Sequence, residues 1–406
     1  MNKVILEDKL KVINELIEKN YKDEKLVGVL AGSSGLSLFQ FYYSKYIGNE
    51  KHSKLGLEIL ESCIDKINNG LKHPTYCSGA AGFGWALDHL SQENFLENDN
   101  DDLLGSMDSA LHRIMINDLK KGHYDFLHGG IGYGFYFFNR FKNAKSLKLK
   151  GKYKKILDDF LHILEEQSIK DSNKGIKWLF YSSIKNKKEP GVYNLSLSHG
   201  ISSIVSFLAK LYQHEEFKRK SERLLIGGLN YLVNSANREK NLISLFPNSI
   251  KEVGDNELNS RLAWCYGDLG VGMSIWNTAK VLNDKSLSEF SLKIFKHSQS
   301  RLTKETTRVV DAGICHGSFG NALIYNRMYK NTNDLSFKET AKFWIDDGVN
   351  KAMFEDGYAG FKKYDPMTNL WHNSNSLLEG IAGIGLTILD YISDFETNWD
   401  ECLMIK

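Results

Sequence analysis

Apolar residues along this chain recur mostly at helical spacing. Leu6, Leu10, Ile13 and Ile17 fall on one helical face near the start. Ile201, Ile204, Val205 and Leu208 do so in the middle, and the pattern resumes with Phe217, Leu224, Leu225 and Leu232. Spacing of three and four residues predicts amphipathic helices, each burying one stripe. The exception is Gly175 to Leu195, GIKWLFYSSIKNKKEPGVYNL, where aromatic and β-branched runs flank a Lys-rich, Pro-Gly turn. That stretch predicts a small β-hairpin inserted over 171–195.

The helical segments are punctuated by a glycine pair spaced three apart: Gly32-Ser-Ser-Gly35, Gly79-Ala-Ala-Gly82, Gly129-Gly-Ile-Gly132, Gly200-Ile-Ser-Ser203, Gly267-Asp-Leu-Gly270, Gly317-Ser-Phe-Gly320 and Gly380-Ile-Ala-Gly383. In the fourth copy, Ser203 replaces the second glycine. Lead glycines are 47, 50, 71, 67, 50 and 63 residues apart, room for two helices and their connections. Seven helical hairpins are therefore expected, with the N-terminal amphipathic segment assigned to the first. A glycine within a helix costs about 1 kcal/mol. Repeating that cost implies close backbone approach to a neighbouring helix and unusual dihedrals in the preceding loop.

The first and last copies, GVLAGSSGL and LLEGIAGIGL, are as apolar as the middle ones. An open helical array would end in polar caps. Closure is therefore expected: an all-α, α/α toroid (barrel) of seven hairpins in a single domain, 1–406, with the glycine loops on one face.

Composition narrows the function classes. With 52 basic and 50 acidic residues the net charge is +2, so no global field points to nucleic acid or to an anionic membrane. Local bias exists: Arg140 to Lys155 holds eight basic residues and no acid, and Glu93 to Asp102 holds five acids and no base. Both read as solvated helix ends and loops. No apolar run approaches the roughly 18 residues of a membrane span. The N-terminus, MNKVILEDKL, places charges where a signal peptide needs apolar residues, so a cytoplasmic location is expected. Five cysteines without an export signal argue against a disulfide framework.

Two of those cysteines share a register. Cys265 precedes the fifth lead glycine by two, and Cys315-His316 directly precedes the sixth. Two sulfurs and one imidazole with a fourth position open is the donor set of a catalytic zinc site; a structural site supplies four ligands. Thiolates select zinc over magnesium or calcium. Other polar residues stand in the same loops: Asp125 in His123-Tyr-Asp-Phe-Leu-His128, His199 before Gly200, and Tyr266 before Gly267. Arg261, four residues before Cys265, shares a face with it if that segment is helical. A competing reading, an α/α-barrel glycoside hydrolase recruiting Asp125, Asp268, Asp311 or Glu379, leaves both cysteines and His316 unexplained.

Trp264-Cys265-Tyr266-Gly267, Cys315-His316-Gly317, Ser198-His199-Gly200 and Tyr124-Asp125 before Gly129 together resemble the lanthipeptide (lantibiotic) synthetase C family of cyclases, over essentially the whole chain. The resemblance implies an α/α toroid of seven inner and seven outer helices. It implies one Zn2+ held by Cys265, Cys315 and His316, with Asp125, His199, Arg261 and Tyr266 around it. The implied activity is thioether (lanthionine or methyllanthionine) formation, by Michael addition of a peptide Cys thiolate to dehydroalanine or dehydrobutyrine. His199 is then the leading acid/base, Asp125 orients or charges it, Arg261 stabilises the enolate and Tyr266 positions either. The implied partners are a dehydrated precursor peptide with its leader, a separate dehydratase and an exporter, in a membrane-bound biosynthesis complex. Ser203 and His128 depart from the family pattern and bear on substrate preference. A zinc protein that binds glutathione or a thiol peptide without cyclising it is the alternative.

Overall fold

The computed structural model describes residues 3–70, 72–97, 100–182, 185–239 and 242–406. In chain order the helices are α1 (Lys3–Asn20), α2 (Ser33–Ile47), α3 (Glu50–Asn68), α4 (Ala80–Gln92), α5 (Asp101–Lys121), α6 (Gly130–Asn143) and α7 (Leu147–Glu166). They continue with α8 (Ile201–Tyr212), α9 (Glu215–Asn234), α10 (Asp268–Leu282), α11 (Lys285–Ser298), the short α12 (Lys304–Thr307), α13 (Ser318–Thr332), α14 (Leu335–Asn350) and α15 (Ile381–Ile392).

Two kinds of helix alternate. Those that follow a glycine loop are buried all round: every residue from Ser33 to Ser44 of α2 is buried, as is every residue from Ser318 to Met328 of α13. Their partners bury one stripe, such as His52, Leu55, Gly56, Ile59, Leu60 and Cys63 of α3. A helix apolar on all faces belongs inside, and an amphipathic one at the solvent boundary. The sequence pattern thus sorts each hairpin into a core helix and a covering helix.

The chain packs as two compact bodies. One comprises 1–73, 77–96 and 303–402, and the other 74–76, 97–302 and 403–406. In the first, α2 packs on α3, α4 and α15, and α13 on α14 and α15. The N-terminal α1 packs on α15, with Leu6, Leu10, Ile13 and Ile17 buried. It therefore covers the seventh core helix and does not belong to the first hairpin. The stripe of α1 takes the place of a covering helix on α15, and a 3-10 turn, Trp399–Leu403, follows α15. In the second body α8 packs on α6, α9 and α10, α6 on α5 and α7, and α10 on α11.

Glycine pairs serve a purpose the pattern did not specify. A Cβ on the second glycine would lie 1.9 Å from the Ile314 carbonyl oxygen at Gly320 and 1.8 Å from that of Leu377 at Gly383. The close approach is thus to the repeat's own loop, six residues back. Most lead glycines are extended, as at Gly129 (φ −130°) and Gly380 (φ −123°). Among the lead glycines only Gly267 has a positive φ, +82°.

The insertion holds one antiparallel pair, β3 (Tyr181–Ser182) with β4 (Lys187–Lys188), and its β2 (Ile176–Lys177) pairs with β1 (Ile169–Lys170), which begins just before the expected bounds. Residues 183 and 184 of the expected hairpin lie outside the described residues. After the Pro190-Gly191 turn, β5 (Val192–Asn194) leaves the hairpin and pairs with β6 (Ser249–Lys251). Another pair, β7 (Lys363–Asp365) and β8 (Leu370–His372), precedes the last glycine loop. All five cysteines are free thiols. No helix among the described residues is long and apolar enough to cross a membrane.

Candidate metal centre and its loops

Each core helix is entered through a loop ending at the lead glycine, and neighbouring loops are joined backbone to backbone. In the second body the Cys265 carbonyl accepts N–H bonds from Leu197 (3.1 Å) and Ser198 (3.4 Å) of the preceding repeat. In the first body Leu378 does the same for Ile314 (3.0 Å) and Cys315 (2.9 Å), and Cys77 for Leu30 (3.1 Å) and Ala31 (2.9 Å). The Leu378 N–H donates in turn to the Leu30 carbonyl, at 2.8 Å. These bonds pair buried loop carbonyls with loop N–H groups of the neighbouring repeat, and they set the register of the polar side chains.

Asp125 and His199, 74 residues apart in sequence, meet in the second body. His199 Nδ1 lies 2.6 Å from Asp125 Oδ2. Asp125 Oδ1 accepts the backbone N–H groups of Leu127 (2.7 Å) and His128 (2.8 Å). Burial pushes the Asp125 carboxyl upward, but the charge and hydrogen bond of His199 outweigh it and hold the group well below the usual carboxylate range. For His199 burial works downward, while the Asp125 charge and hydrogen bond prevail and raise its pKa above the usual 6.5. The arrangement is an imidazole oriented by a carboxylate that stays ionised. The His128 ring stacks beside that of His199, centroids 6.4 Å apart, and burial lowers its pKa.

A short scaffold fixes this dyad and Tyr266. Ser196 Oγ accepts the His199 backbone N–H at 3.0 Å, and Asn194 Oδ1 accepts that of Ser196 at 2.9 Å. Asn194 Nδ2 donates to the Tyr266 hydroxyl at 3.1 Å. Burial raises the Tyr266 pKa, keeping the hydroxyl protonated, and its ring centroid is 6.0 Å from that of His199. Neither Asn194 nor Ser196 was singled out from sequence, although Asn194 stands six residues before its lead glycine, as Arg261 does before Gly267.

Arg261 departs from the sequence expectation. Residues 261–267 are not helical, so the four-residue spacing does not put Arg261 and Cys265 on one helix face. The physical reason is the turn at Gly267, where a Cβ would lie 2.2 Å from the Arg261 carbonyl oxygen. Arg261 is half-buried.

In the first body, the loop before α13 carries Cys315 and His316. Asp311 Oδ1 accepts the Gly313 N–H (3.2 Å), and its Oδ2 accepts the Tyr364 N–H of β7 (3.0 Å). That second oxygen is 3.7 Å from His316 Nε2, an electrostatic contact too long for a hydrogen bond. Asp311 thus stands beside one ring nitrogen of His316 and adds negative charge there.

Cys265, Cys315 and His316 form a group that could hold a metal ion. Two thiols and an imidazole fit zinc in donor softness and number. The remaining acids that a glycoside hydrolase would recruit are committed elsewhere. Asp268 is buried against Arg301 (3.0 Å) and the Phe246 N–H (2.9 Å), and Glu379 pairs with Lys363 (3.0 Å).

Comparison with known proteins bears on the family and the fold. The family described as lanthionine synthetase C-like protein matches residues 27–404. The chain belongs to that family. Among solved structures the chain is similar to nisin cyclase, with a TM-score of 0.71 at 18% identity, covering 100% of this chain and 98% of that one. The family member thus has the α/α toroid fold of that enzyme. Looser matches are a glycoside hydrolase of family 105 from C. acetobutylicum (TM-score 0.45, 15% identity, 82% and 98% covered) and a family 76 glycoside hydrolase from a bovine Bacteroides thetaiotaomicron strain (0.46, 11%, 91% and 76%).

Proposed function

We propose that this chain is a zinc-dependent lanthipeptide cyclase, closing thioether rings in a dehydrated peptide. The observation that carries the proposal is the donor group itself: the ligand atoms of Cys265, Cys315 and His316 lie within 4.8 Å of one another, in a chain of the lanthionine synthetase C-like family. Zinc held there would supply a Lewis acid that draws the proton from a peptide cysteine thiol, whose free pKa is near 8.5. Two thiolate ligands temper that acidity and favour sulfur alkylation over water activation.

The chain's own residues supply the remaining chemistry. A sulfur–carbon bond forms at the β-carbon of dehydroalanine or dehydrobutyrine, the carbon–carbon double bond is consumed, and an enolate results. A proton then adds at the α-carbon, so the reaction is an isomerisation with no change in mass. His199 is the proton carrier, with Asp125 fixing its ring and favouring its charged form. Arg261 and the Tyr266 hydroxyl are the donors assigned to the enolate oxygen. The precursor's leader, a separate dehydratase and an exporter are the partners this reading requires, in the cytoplasm or at a membrane-bound complex.

The test pairs metal analysis with ring formation. Purified protein should contain about one zinc per chain, and should protect the cysteines of a dehydrated peptide from alkylation without changing the peptide mass. Zinc-loaded protein that binds thiols but leaves dehydrated peptides open to alkylation would instead establish a thiol-binding relative.

A further inference from the structure

A cavity lined by none of the zinc donors opens between the loops of the first and second repeats. It has a volume of about 330 Å³ and is lined by Lys25, Val27, Lys66, Ile67, Lys72 and His73, among others. Among the described residues that line it there is no carboxylate. Of the acids beside these lysines in sequence, Glu24 is half-buried with its Oε1 accepting the Leu26 N–H at 3.2 Å, and Asp23 and Asp65 are exposed. Lys66 is held at the base, its Nζ donating to the Glu24 carbonyl (2.7 Å) and to Ser33 Oγ (3.3 Å). Lys25, Lys72 and His73 stand at the exposed mouth, above buried Val27.

Three lysines line this one concavity, and an anion seated in it would be attracted by all three. The backbone on both sides is fixed: the Val27 N–H donates to the Ser78 carbonyl (3.3 Å), and the His73 carbonyl accepts the Ala80 N–H (2.9 Å). The cavity is therefore a built feature of two repeat loops. It also lies on the rim that carries Cys315, because the Cys315–Leu378–Leu30–Cys77 backbone bonds join the loops of repeats six, seven, one and two within this body.

We propose that this cavity is the subsite for a side-chain carboxylate of the peptide substrate, a reading that rests on the cyclase assignment for the source of the carboxylate. Neighbouring helices pack about 8–10 Å apart, so the rim from Cys315 to the cavity spans on the order of 20–25 Å, or roughly six to eight residues of extended peptide. An Asp or Glu at that separation from the reacting cysteine seats its carboxylate between Lys25, Lys66 and Lys72. Val27 and Ile67 give the neighbouring apolar side chain a surface.

The experiment uses the full-length, zinc-loaded chain and two fluorescent linear peptides, each with one cysteine and, seven residues away, either Asp-Asp or Asn-Asn. The expected result is that the acidic peptide binds at least tenfold more tightly at low salt. Lys25→Gln/Lys72→Gln should erase the preference while leaving zinc content, melting temperature and the affinity of the neutral peptide unchanged. Both lysines are exposed, and each single variant should give part of the loss. Equal affinity for the two peptides, or a preference that survives the double substitution, overturns the proposal. Competition by inorganic phosphate without preference for the acidic peptide overturns it too, since it makes the cavity a site for free anions. Failure to bind zinc or close rings, with the acidic preference intact, counts against the cyclase reading and leaves the carboxylate subsite standing.

Discussion

Replacing Asp125 by Asn keeps the shape of a side chain that is 4% exposed and removes its charge. The amide oxygen can still accept the Leu127 and His128 N–H groups. Its NH2 then faces His199 Nδ1, where the carboxylate Oδ2 stood at 2.6 Å, so the contact survives only if Nδ1 gives up its proton. A hydrogen bond to a charged group is worth about 1.5–3 kcal/mol, and one pKa unit about 1.4 kcal/mol. The His199 pKa should therefore fall by about one to two units. The raised His199 pKa contributes stability that is complete below the unfolded value of 6.5 and is lost as pH rises through the folded value. The depressed Asp125 pKa contributes stability that is present above 3.8 and lost as pH falls through the folded value. Wild type and D125N should thus differ most between pH 3.8 and 6.5, and the gap should narrow toward pH 9. Urea unfolding at pH 5.5 and 9, with NMR titration of the His199 ring in both zinc-loaded proteins, measures these quantities. Zinc acts on both proteins alike, so the difference between them reports the dyad. A stability gap that is the same at both pH values, with an unshifted His199, would refute the coupling.

Cys315→Ala should lose bound zinc with its helical circular dichroism intact, and Asp311→Asn should weaken zinc about 10–100-fold; elemental analysis and competition with a chelating dye read both, and unchanged affinity in D311N would remove Asp311 from the positioning of His316. Gly320→Ala places a Cβ against the Ile314 carbonyl and should destabilise by about 3 kcal/mol or more. Gly151→Ala, exposed on α7 with nothing near its Cβ, should stabilise by about 1 kcal/mol. Denaturant midpoints separate the two, and equal effects would sink the close-approach account of the glycine pairs. Arg327 is buried against Asp400 (2.6 Å) and Asp390 (3.6 Å), so Arg327→Met should cost about 3–5 kcal/mol by leaving both carboxylates short of a charge partner. A loss under 1 kcal/mol would show that Lys330, 2.8 Å from Asp390, suffices alone.

Much of this protein is legible in one dimension because the period of apolar residues decides which face of a helix is buried, and because glycine marks where backbone must approach backbone. The all-α class, the repeat count and the loops that carry Cys265, Cys315, His316, Asp125 and His199 all follow from those two local signals. Tertiary structure decided what sits next to what. That α1 covers α15 depends on where the two ends of the chain meet, which no local window contains. The 2.6 Å Asp125–His199 contact, and the Asn194 and Ser196 side chains that hold the neighbouring groups, exist only once β5 and the loops before α6, α8 and α10 are packed side by side. Arg261 shows the reverse. A four-residue spacing looks helical in sequence, but the positive φ of Gly267 and the hydrogen bonds accepted by the Cys265 carbonyl make that segment a turn. Local pattern chooses the elements, and the bonds between neighbouring repeats choose the conformation of the loops that join them.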